Sequence, residues 1–166
     1  MDFAYLCLIN PDTMAYTQLI YHIVMRTKDS LPVIPESNER SLYAYIDAFT
    51  SNHQGTLIRI GGMPDHIHLL VQLPPTLAVA EYVRQLKITT HHFMDDHRSQ
   101  FPRFENWSSG YCALTYSSNE VGKIKQYIIN QKEHHKKHSF LGELRTLLAE
   151  QGVQVDERYF PKEACQ

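Results

Sequence analysis

The chain has 166 residues, of which 43% are hydrophobic and 20% are charged; this is typical of one globular domain and excludes a disordered chain. A formal net charge of -2 excludes a uniformly basic protein, so a surface for nucleic acid must be a local patch. The three widely spaced cysteines, Cys7, Cys112 and Cys165, fit neither a disulfide framework nor a zinc ribbon, and they indicate a reducing, cytoplasmic setting.

The N-terminal stretch before Met14 is set apart from the rest of the chain. Its apolar run of about seven residues is too short for a transmembrane helix, and Asp2 stands where a signal peptide carries basic residues. We interpret residues 1–13 as an upstream extension of the reading frame or an extra edge segment. Residues 14–160 are predicted to form a single domain, followed by a tail at 161–166.

Hydrophobic periodicity predicts four strands and four helices in the domain. In chain order they are strand Thr17–Thr27, helix Glu39–Phe49, strand Thr56–Ile60, strand His66–Leu73, a helix of about Thr76 to Asp96, strand Tyr111–Ser117, a helix that runs to about His135, and helix Gly142–Glu150. Thr76 is the predicted N-cap of the second helix. A capping box of Ser117 and Glu120 is predicted to begin the third. The segment GGMPD at 61–65 predicts the turn of a hairpin.

This element order defines the expected fold. The order β-α-β-β-α-β predicts an α+β fold of the ferredoxin-like or RRM-like kind, an antiparallel sheet with helices on one face. A C-terminal helix that carries Tyr127 follows the sixth element. The other face of the sheet is then expected to be free to bind a ligand.

A pair of histidines is the first candidate site. Side chains alternate along a strand, so His66 and His68 share one face while Ile67 and Leu69 take the core face. Two neutral imidazoles side by side can hold one divalent cation. The alternative is a half-exposed strand with two polar positions.

The second candidate site is the helix that carries Tyr127. Tyr127 and Gln131 are four residues apart and therefore lie on one helix face, beside an apolar stripe that includes Ile124 and Ile128. A tyrosine in that position usually belongs to a core. Its neighbourhood is unusual, however, because several lysines form a local basic patch that suits phosphates or simply faces solvent. They are Lys123, Lys125, Lys132, Lys136 and Lys137.

Histidines at the end of the same helix extend this candidate site. His134, His135 and His138 follow Gln131, and we interpret them as additional metal or phosphate contacts if the helix continues. The alternative is that they are solvated and favoured by the negative end of the helix dipole.

Together these motifs resemble the single-tyrosine transposases of the insertion-sequence-200/605 type, including their relatives linked to repetitive extragenic palindromes. DHIHLLV carries the His-hydrophobic-His motif, YIINQKEHHKKHSF carries Tyr-x-x-x-Gln, and matching landmarks run from about Tyr16 to Tyr159. The resemblance implies that Tyr127 is the catalytic nucleophile and that His66, His68 and Gln131 hold Mg²⁺ or Mn²⁺. It implies a single-stranded DNA endonuclease and strand transferase that forms a 5′-phosphotyrosine intermediate.

The same resemblance implies partners. The substrate would be single-stranded DNA with hairpin ends, and the protein a homodimer that acts in the cytoplasm at the nucleoid. Basic and aromatic side chains grip single strands, and the candidates are Arg84, Lys87, Lys123, Phe104 and Trp107. Trp107 equally fits a plug in the core. The alternative functions are a domesticated hairpin-specific nickase and a non-catalytic RRM-like nucleic-acid-binding protein.

Overall fold

The structure, a computed structural model, describes residues 8–10 and 15–162. The strands are β1 Leu8–Asn10, β2 Ala15–Thr17, β3 Leu19–Arg26, β4 Thr56–Met63, β5 His66–Leu73 and β6 Cys112–Thr115. The helices are α1 Glu39–Asn52, α2 Val79–Asp96, α3 Val121–Ile129, α4 Gln131–His134 and α5 Phe140–Glu150, with single 3₁₀ turns at Lys28–Ser30 and Ser118–Glu120.

The main sheet confirms the predicted α+β architecture. Its four antiparallel strands lie in the order β4-β5-β3-β6, so β5 and β3 are central. One face packs on α1 and α2: Ile67 and Leu69 of β5 join Ile46 of α1 and Leu86 of α2 in the largest core cluster. This burial of apolar area is the main stabilising contribution to the fold.

The second face of the sheet is covered, and the expectation that it is free was wrong. Ile20 and Leu70 on this face pack against Val121 and Ile124 of α3, and Val24 packs against Leu147 of α5. All eight residues of β5 are consequently buried. The apolar stripes of α3 and α5 need a partner as much as those of α1 and α2 do, and this face supplies it.

Several predicted boundaries also differ from the structure. Gly61 and Gly62 continue β4, so the hairpin turn consists only of Pro64 and Asp65. Helix α2 begins at Val79, and Thr76 does not cap it. The tyrosine helix breaks at Asn130, whose ψ of 10° leaves the α-helical range; asparagine competes with the helical backbone for hydrogen bonds.

The capping box is confirmed. Ser117 and Glu120 exchange the predicted side-chain and backbone hydrogen bonds at the turn that leads into α3. A box of this kind satisfies amide groups that a helix start leaves unpaired. It fixes where the tyrosine helix begins after β6.

The N-terminal segment contributes a small separate ladder. Leu8–Asn10 pairs antiparallel with Ala15–Thr17; the rest of the interpreted extension, with Cys7, lies outside the described residues, as does Cys165. Within the described residues, Cys112 has a free thiol. No helix in the described part of the chain combines the length and the apolar character that crossing a membrane requires.

Candidate metal and nucleophile site

His66 and His68 lie at the centre of the second layer. They project from β5 on the face that α3 to α5 cover, and their side chains are 1% and 0% exposed. Across the sheet, Val24 of β3 is the direct neighbour of His68. The histidines are therefore buried between two layers, away from the α1 and α2 core, and the half-exposed alternative does not hold.

Gly61 allows the tyrosine helix to lie against the histidine strand. Gly61 pairs with His68 in the β4 and β5 ladder. A Cβ atom at this position would lie 2.9 Å from the carbonyl oxygen of Ile128 in α3, closer than carbon and oxygen tolerate. The glycine therefore serves close helix packing rather than the turn.

Helix α3 directs Tyr127 to the histidines of its own chain. The ring centroid of Tyr127 lies 6.0 Å from that of His68 and 6.1 Å from that of His22, with edge-to-face geometry in both cases. Ile124 and Ile128 flank it and are buried. The half-buried tyrosine is therefore oriented by packing on both sides.

Each histidine has a neighbour at its Nδ1 atom. Nδ1 of His66 lies 2.8 Å from Oδ1 of Asp65, and Nδ1 of His68 lies 2.9 Å from Nε2 of His22. The Asp65 carboxylate can only accept, so His66 donates from Nδ1. If His68 likewise donates from Nδ1, both rings keep the Nε2 lone pair for a ligand, the arrangement typical of metal-binding histidines.

Helix α5 brings a carboxylate into the same site. Glu143 is only 3% exposed. Its Oε1 atom accepts hydrogen bonds from the Tyr127 hydroxyl and from Nε2 of Gln131, at 2.7 Å. Ser139 caps α5 by accepting from the Gly142 amide, which fixes the start of the helix at Phe140, three residues before Glu143.

The histidines after Gln131 occupy different places. Nε2 of His135 lies 2.9 Å from Oε2 of Glu143 and 3.1 Å from Nε2 of His66, so His135 reaches the site. Nε2 of His134 is 3.8 Å from Oε1 of Glu143, at the edge of the site. His138 stacks on His134, and its carbonyl oxygen contacts Nδ1 of His135 at 3.0 Å.

The site contains a strong electrostatic conflict. Burial raises the pKa of Glu143, but the close imidazoles of His135 and His68 outweigh burial and hold that pKa well below its usual range. Burial lowers the pKa of His68 to about 4. Burial raises the pKa of Tyr127 well above its ordinary value, and the Glu143 carboxylate raises it further. In this arrangement Tyr127 is protonated and a poor nucleophile.

The donor atoms fit a divalent cation. Among the described residues, one ligand atom each from His66, His68, His135 and Glu143 lies within 4.8 Å of the others. Nε2 of His68 and Oε1 of Gln131 are among the buried side-chain atoms of the described residues that have no hydrogen-bond partner. Buried polar atoms without partners are costly, and a bound cation would satisfy them.

The residues predicted to contact DNA are scattered. Lys123 is exposed one helical turn before Tyr127. Arg84 is exposed and paired with Glu81, but it lies on α2, in the layer on the opposite face of the sheet from the histidines. The ammonium group of Lys87, also on α2, donates to three successive backbone carbonyls at residues 108–110.

The aromatic candidates are in the core. Trp107 is 5% exposed and donates a hydrogen bond to Thr90, and Phe104 is buried beside it. Trp107 thus fills the role of a plug, and neither ring offers a face for a base in this conformation. Of the predicted basic patch, Lys132 pairs with Glu36 and Glu39.

Sequence reasoning missed His22, Asp65 and Glu143. His22 interrupts an otherwise apolar strand face between Ile20 and Val24, and this alternation could have marked it. Glu143 stands four residues before the buried Leu147, so an acidic residue on an apolar helical stripe was the available signal. Asp65 directly precedes His66, and a carboxylate commonly accepts from the other ring nitrogen of a metal-binding histidine.

The chain matches known proteins over most of its length. The family model described as "Transposase IS200 like" matches residues 15–131. The ISDra2 transposase TnpA of Deinococcus radiodurans is 27% identical over 123 residues, which cover 70% of this chain and 86% of that protein. The transposase for insertion sequence element IS200 of Salmonella typhimurium is 25% identical over 120 residues, which cover 70% and 78%.

Solved structures agree with these sequence matches. A crystal structure of a Deinococcus radiodurans R1 protein assigned as a transposase superposes with a TM-score of 0.56 at 26% identity, over 70% of this chain and 93% of that chain. The REP-associated tyrosine transposase bound to a REP hairpin has the same fold, with a TM-score of 0.56 at 13% identity over 73% and 71%. The chain therefore belongs to the IS200-like transposase family.

Proposed function

We propose that this protein is a metal-dependent single-stranded DNA endonuclease and strand transferase that carries out transposition through a 5′-phosphotyrosine intermediate. The observation that carries the proposal is the position of Tyr127. Its ring packs against His68 of the same chain, and its hydroxyl reaches the buried donor cluster. A phenol beside a candidate cation site is the pairing that phosphodiester cleavage by tyrosine requires.

The proposed reaction is an exchange of phosphoesters. The Tyr127 oxygen attacks the scissile phosphorus, the bond from phosphorus to the 3′ oxygen breaks, and the phenol proton is delivered overall to that leaving oxygen. The products are a 5′-phosphotyrosine and a free 3′-hydroxyl. Because one phosphoester replaces another, a second 3′-hydroxyl can rejoin the strand without ATP.

A divalent cation, Mg²⁺ or Mn²⁺, is the proposed cofactor. His66 and His68 would hold it, with Gln131 as the third predicted ligand. When bound, it would supply a positive charge that neutralises the phosphate in the transition state. The same charge next to Glu143 would offset the carboxylate that now raises the pKa of Tyr127.

Single-stranded DNA with a hairpin is the proposed substrate. One structural relative is bound to a REP hairpin, and we extend that ligand to this chain as a hypothesis. The exposed Lys123 beside Tyr127 is the proposed phosphate contact nearest the site, and Arg84 on α2 would lie on a more distant part of the DNA path. The protein would act on DNA in the cytoplasm.

The adduct assay tests the proposal. The full chain is incubated with single-stranded hairpin DNA carrying a label on the 3′ side of the cleavage site, with Mg²⁺ or Mn²⁺. We expect a covalent protein–DNA adduct that chelator abolishes and that Tyr127→Phe lacks. Tyr116→Phe is the matched control, because this second tyrosine also lies near His22. An adduct that persists in Tyr127→Phe contradicts the assigned nucleophile.

Homodimer formation is the remaining part of the proposal, and it raises the question of which subunit supplies Tyr127. Tyr127 faces the histidines of its own chain, which favours catalysis within one subunit. Mixing Tyr127→Phe with His66→Ala tests this: we expect no recovery of cleavage. Recovery would mean that the tyrosine of one subunit serves the histidines of the other.

The main alternative is an RRM-like binding protein with no catalysis. The α+β sheet and the buried position of the tyrosine favour it as a second candidate. It predicts hairpin binding without cleavage or adduct at any metal concentration. A domesticated nickase instead predicts the adduct and cleavage, without joining to a second DNA end.

A further inference from the structure

We propose that His135 and Glu143 complete, with His66 and His68, a four-ligand site for a transition metal in the DNA-free protein. This inference rests on the metal dependence in the proposed function and deepens it by naming the ligands and the metal class. The family model matches only residues 15–131, so it assigns no role to either added residue. Both lie on the C-terminal segment that closes over the sheet.

Three imidazoles face one point with the same ring nitrogen. Nδ1 of His66 contacts Asp65 at 2.8 Å, and Nδ1 of His68 contacts His22 at 2.9 Å. Nδ1 of His135 contacts the carbonyl oxygen of His138 at 3.0 Å, and a carbonyl can only accept. If His68 also donates from Nδ1, each ring in its neutral form directs an Nε2 lone pair into the cluster, and a bound metal would take the place of the proton between His135 and Glu143.

The spacing of the ligand atoms also fits a single metal ion. Oε2 of Glu143 lies 2.9 Å from Nε2 of His135, 3.5 Å from that of His68 and 3.6 Å from that of His66. Ligands at about 2.0 to 2.1 Å from a tetrahedral metal are about 3.3 Å apart. The observed distances lie on both sides of that value, so a metal fits with small side-chain adjustments.

The two carboxylate oxygens of Glu143 have different partners. Oε2 faces the histidines, whereas Oε1 accepts from Gln131 and Tyr127. One oxygen can therefore bind the metal while the other holds the nucleophile beside it. In this DNA-free state the amide nitrogen of Gln131 positions Glu143, and its carbonyl oxygen has no hydrogen-bond partner and stays available as the further ligand named in the proposed function.

The donor set indicates the class of metal. Three imidazoles and one carboxylate suit Zn²⁺, Co²⁺ and Mn²⁺, whereas Mg²⁺ prefers oxygen ligands and retains several waters. His66, His68 and Glu143 are almost fully buried, which leaves little room for those waters. We therefore expect the site to favour a transition metal over Mg²⁺.

Cobalt binding to the full-length protein tests this inference without any DNA. Four-coordinate Co²⁺ has intense visible absorption bands, whereas octahedral Co²⁺ is nearly colourless. We expect one Co²⁺ per chain with intense bands, displaced by one equivalent of Zn²⁺ and retained in a large excess of Mg²⁺. Displacement by Mg²⁺, or weak octahedral bands, would overturn the inference.

Two variants identify the added ligands. Glu143→Gln and His135→Ala are each expected to weaken Co²⁺ binding at least tenfold and to change the visible bands. Their controls are Glu150→Gln, on an exposed position of the same helix, and His92→Ala, at an exposed position of α2. Wild-type affinity and bands in both ligand variants would show that His66 and His68 bind the metal without them.

A measurement on the unmutated protein covers the case in which a variant fails to fold. X-ray absorption of the Zn²⁺-loaded protein counts imidazole ligands through their multiple-scattering signal. Three imidazoles and one oxygen ligand are expected, and two imidazoles would contradict the inference. If the metal-binding prediction fails, the adduct assay still tests the proposed reaction. If the wild type binds Co²⁺ as predicted but forms no adduct with DNA, the proposed reaction is wrong and the metal site stands.

Discussion

The hydroxyl of Tyr127 donates a hydrogen bond to the carboxylate of Glu143, sixteen residues further along the chain. This contact joins α3 to α5 at the point where the histidines of β5 converge. It also raises the pKa of Tyr127, because a nearby negative charge disfavours the phenolate. The carboxylate therefore holds the phenol in place and keeps it protonated.

Replacing Glu143 by glutamine is expected to lower the pKa of Tyr127. The change removes the negative charge and keeps a group of similar size that can still accept the hydroxyl hydrogen. The pKa of Tyr127 should fall toward its ordinary value, although burial continues to raise it. Titration of ¹³C-labelled tyrosine ring carbons measures this, with Tyr127→Phe to assign the signal; an unchanged or higher pKa would contradict the account.

Replacing His22 by leucine is expected to weaken metal binding about 10- to 100-fold, the usual cost of losing a partner of a metal-binding histidine. Burial, reinforced by the neighbouring His68, lowers the pKa of His22 to about 3, so its neutral ring can accept from Nδ1 of His68. Isothermal titration with Zn²⁺ measures the change. Tyr116→Phe, at a residue that also contacts His22, should bind Zn²⁺ as the wild type does. Unchanged affinity in His22→Leu would show that His68 needs no such partner.

Replacing Gly61 by alanine is expected to destabilise the protein by about 1 to 3 kcal/mol, since the new methyl group would overlap the backbone of Ile128. The matched control is Gly122→Ala on α3, where a methyl group meets nothing within 4 Å. That change should stabilise the protein by up to about 1 kcal/mol because alanine favours helix. Urea unfolding gives the free energy of unfolding of both variants, and equal values for Gly61→Ala and Gly122→Ala would refute the close-packing role of Gly61.

Replacing Lys123 by alanine is expected to weaken binding of single-stranded DNA and to reduce its salt dependence. A single phosphate contact contributes about 0.7 to the slope of log affinity against log salt on single strands. Arg84→Ala, in the layer on the other face of the sheet, should change the slope less. Fluorescence anisotropy at several salt concentrations compares the two, and a larger effect at Arg84 would relocate the DNA path to α2.

Much of the fold follows from periodicity, and the part that does not depends on packing between layers. The alternation in His66–Leu73 correctly separates histidines from core residues, because side chains of a strand point to opposite faces. Alternation cannot reveal what covers the histidine face. That requires knowing that α3 and α5 fold back over β3 and β5, a contact between residues distant in the sequence.

The need to know distant contacts also explains which site residues could be predicted and which could not. Tyr127 and Gln131 could be predicted because they share a helix face four residues apart, and the break at Asn130 leaves both directed at Glu143. The apolar stripe of α5 could mark Glu143 as buried, but no local pattern could place it at this site, since its partners lie at least eight residues away. Trp107 was ambiguous for a related reason: its plug position depends on Thr90 of α2.

The most direct test of the central claim is to locate the DNA on the protein. The adduct formed with single-stranded hairpin DNA is digested with nuclease and protease, and the peptides are sequenced by mass spectrometry. We predict a nucleotide attached through its 5′ phosphate to Tyr127. Attachment to Tyr116 or another residue, or cleavage of the DNA with no covalent intermediate, would contradict the account.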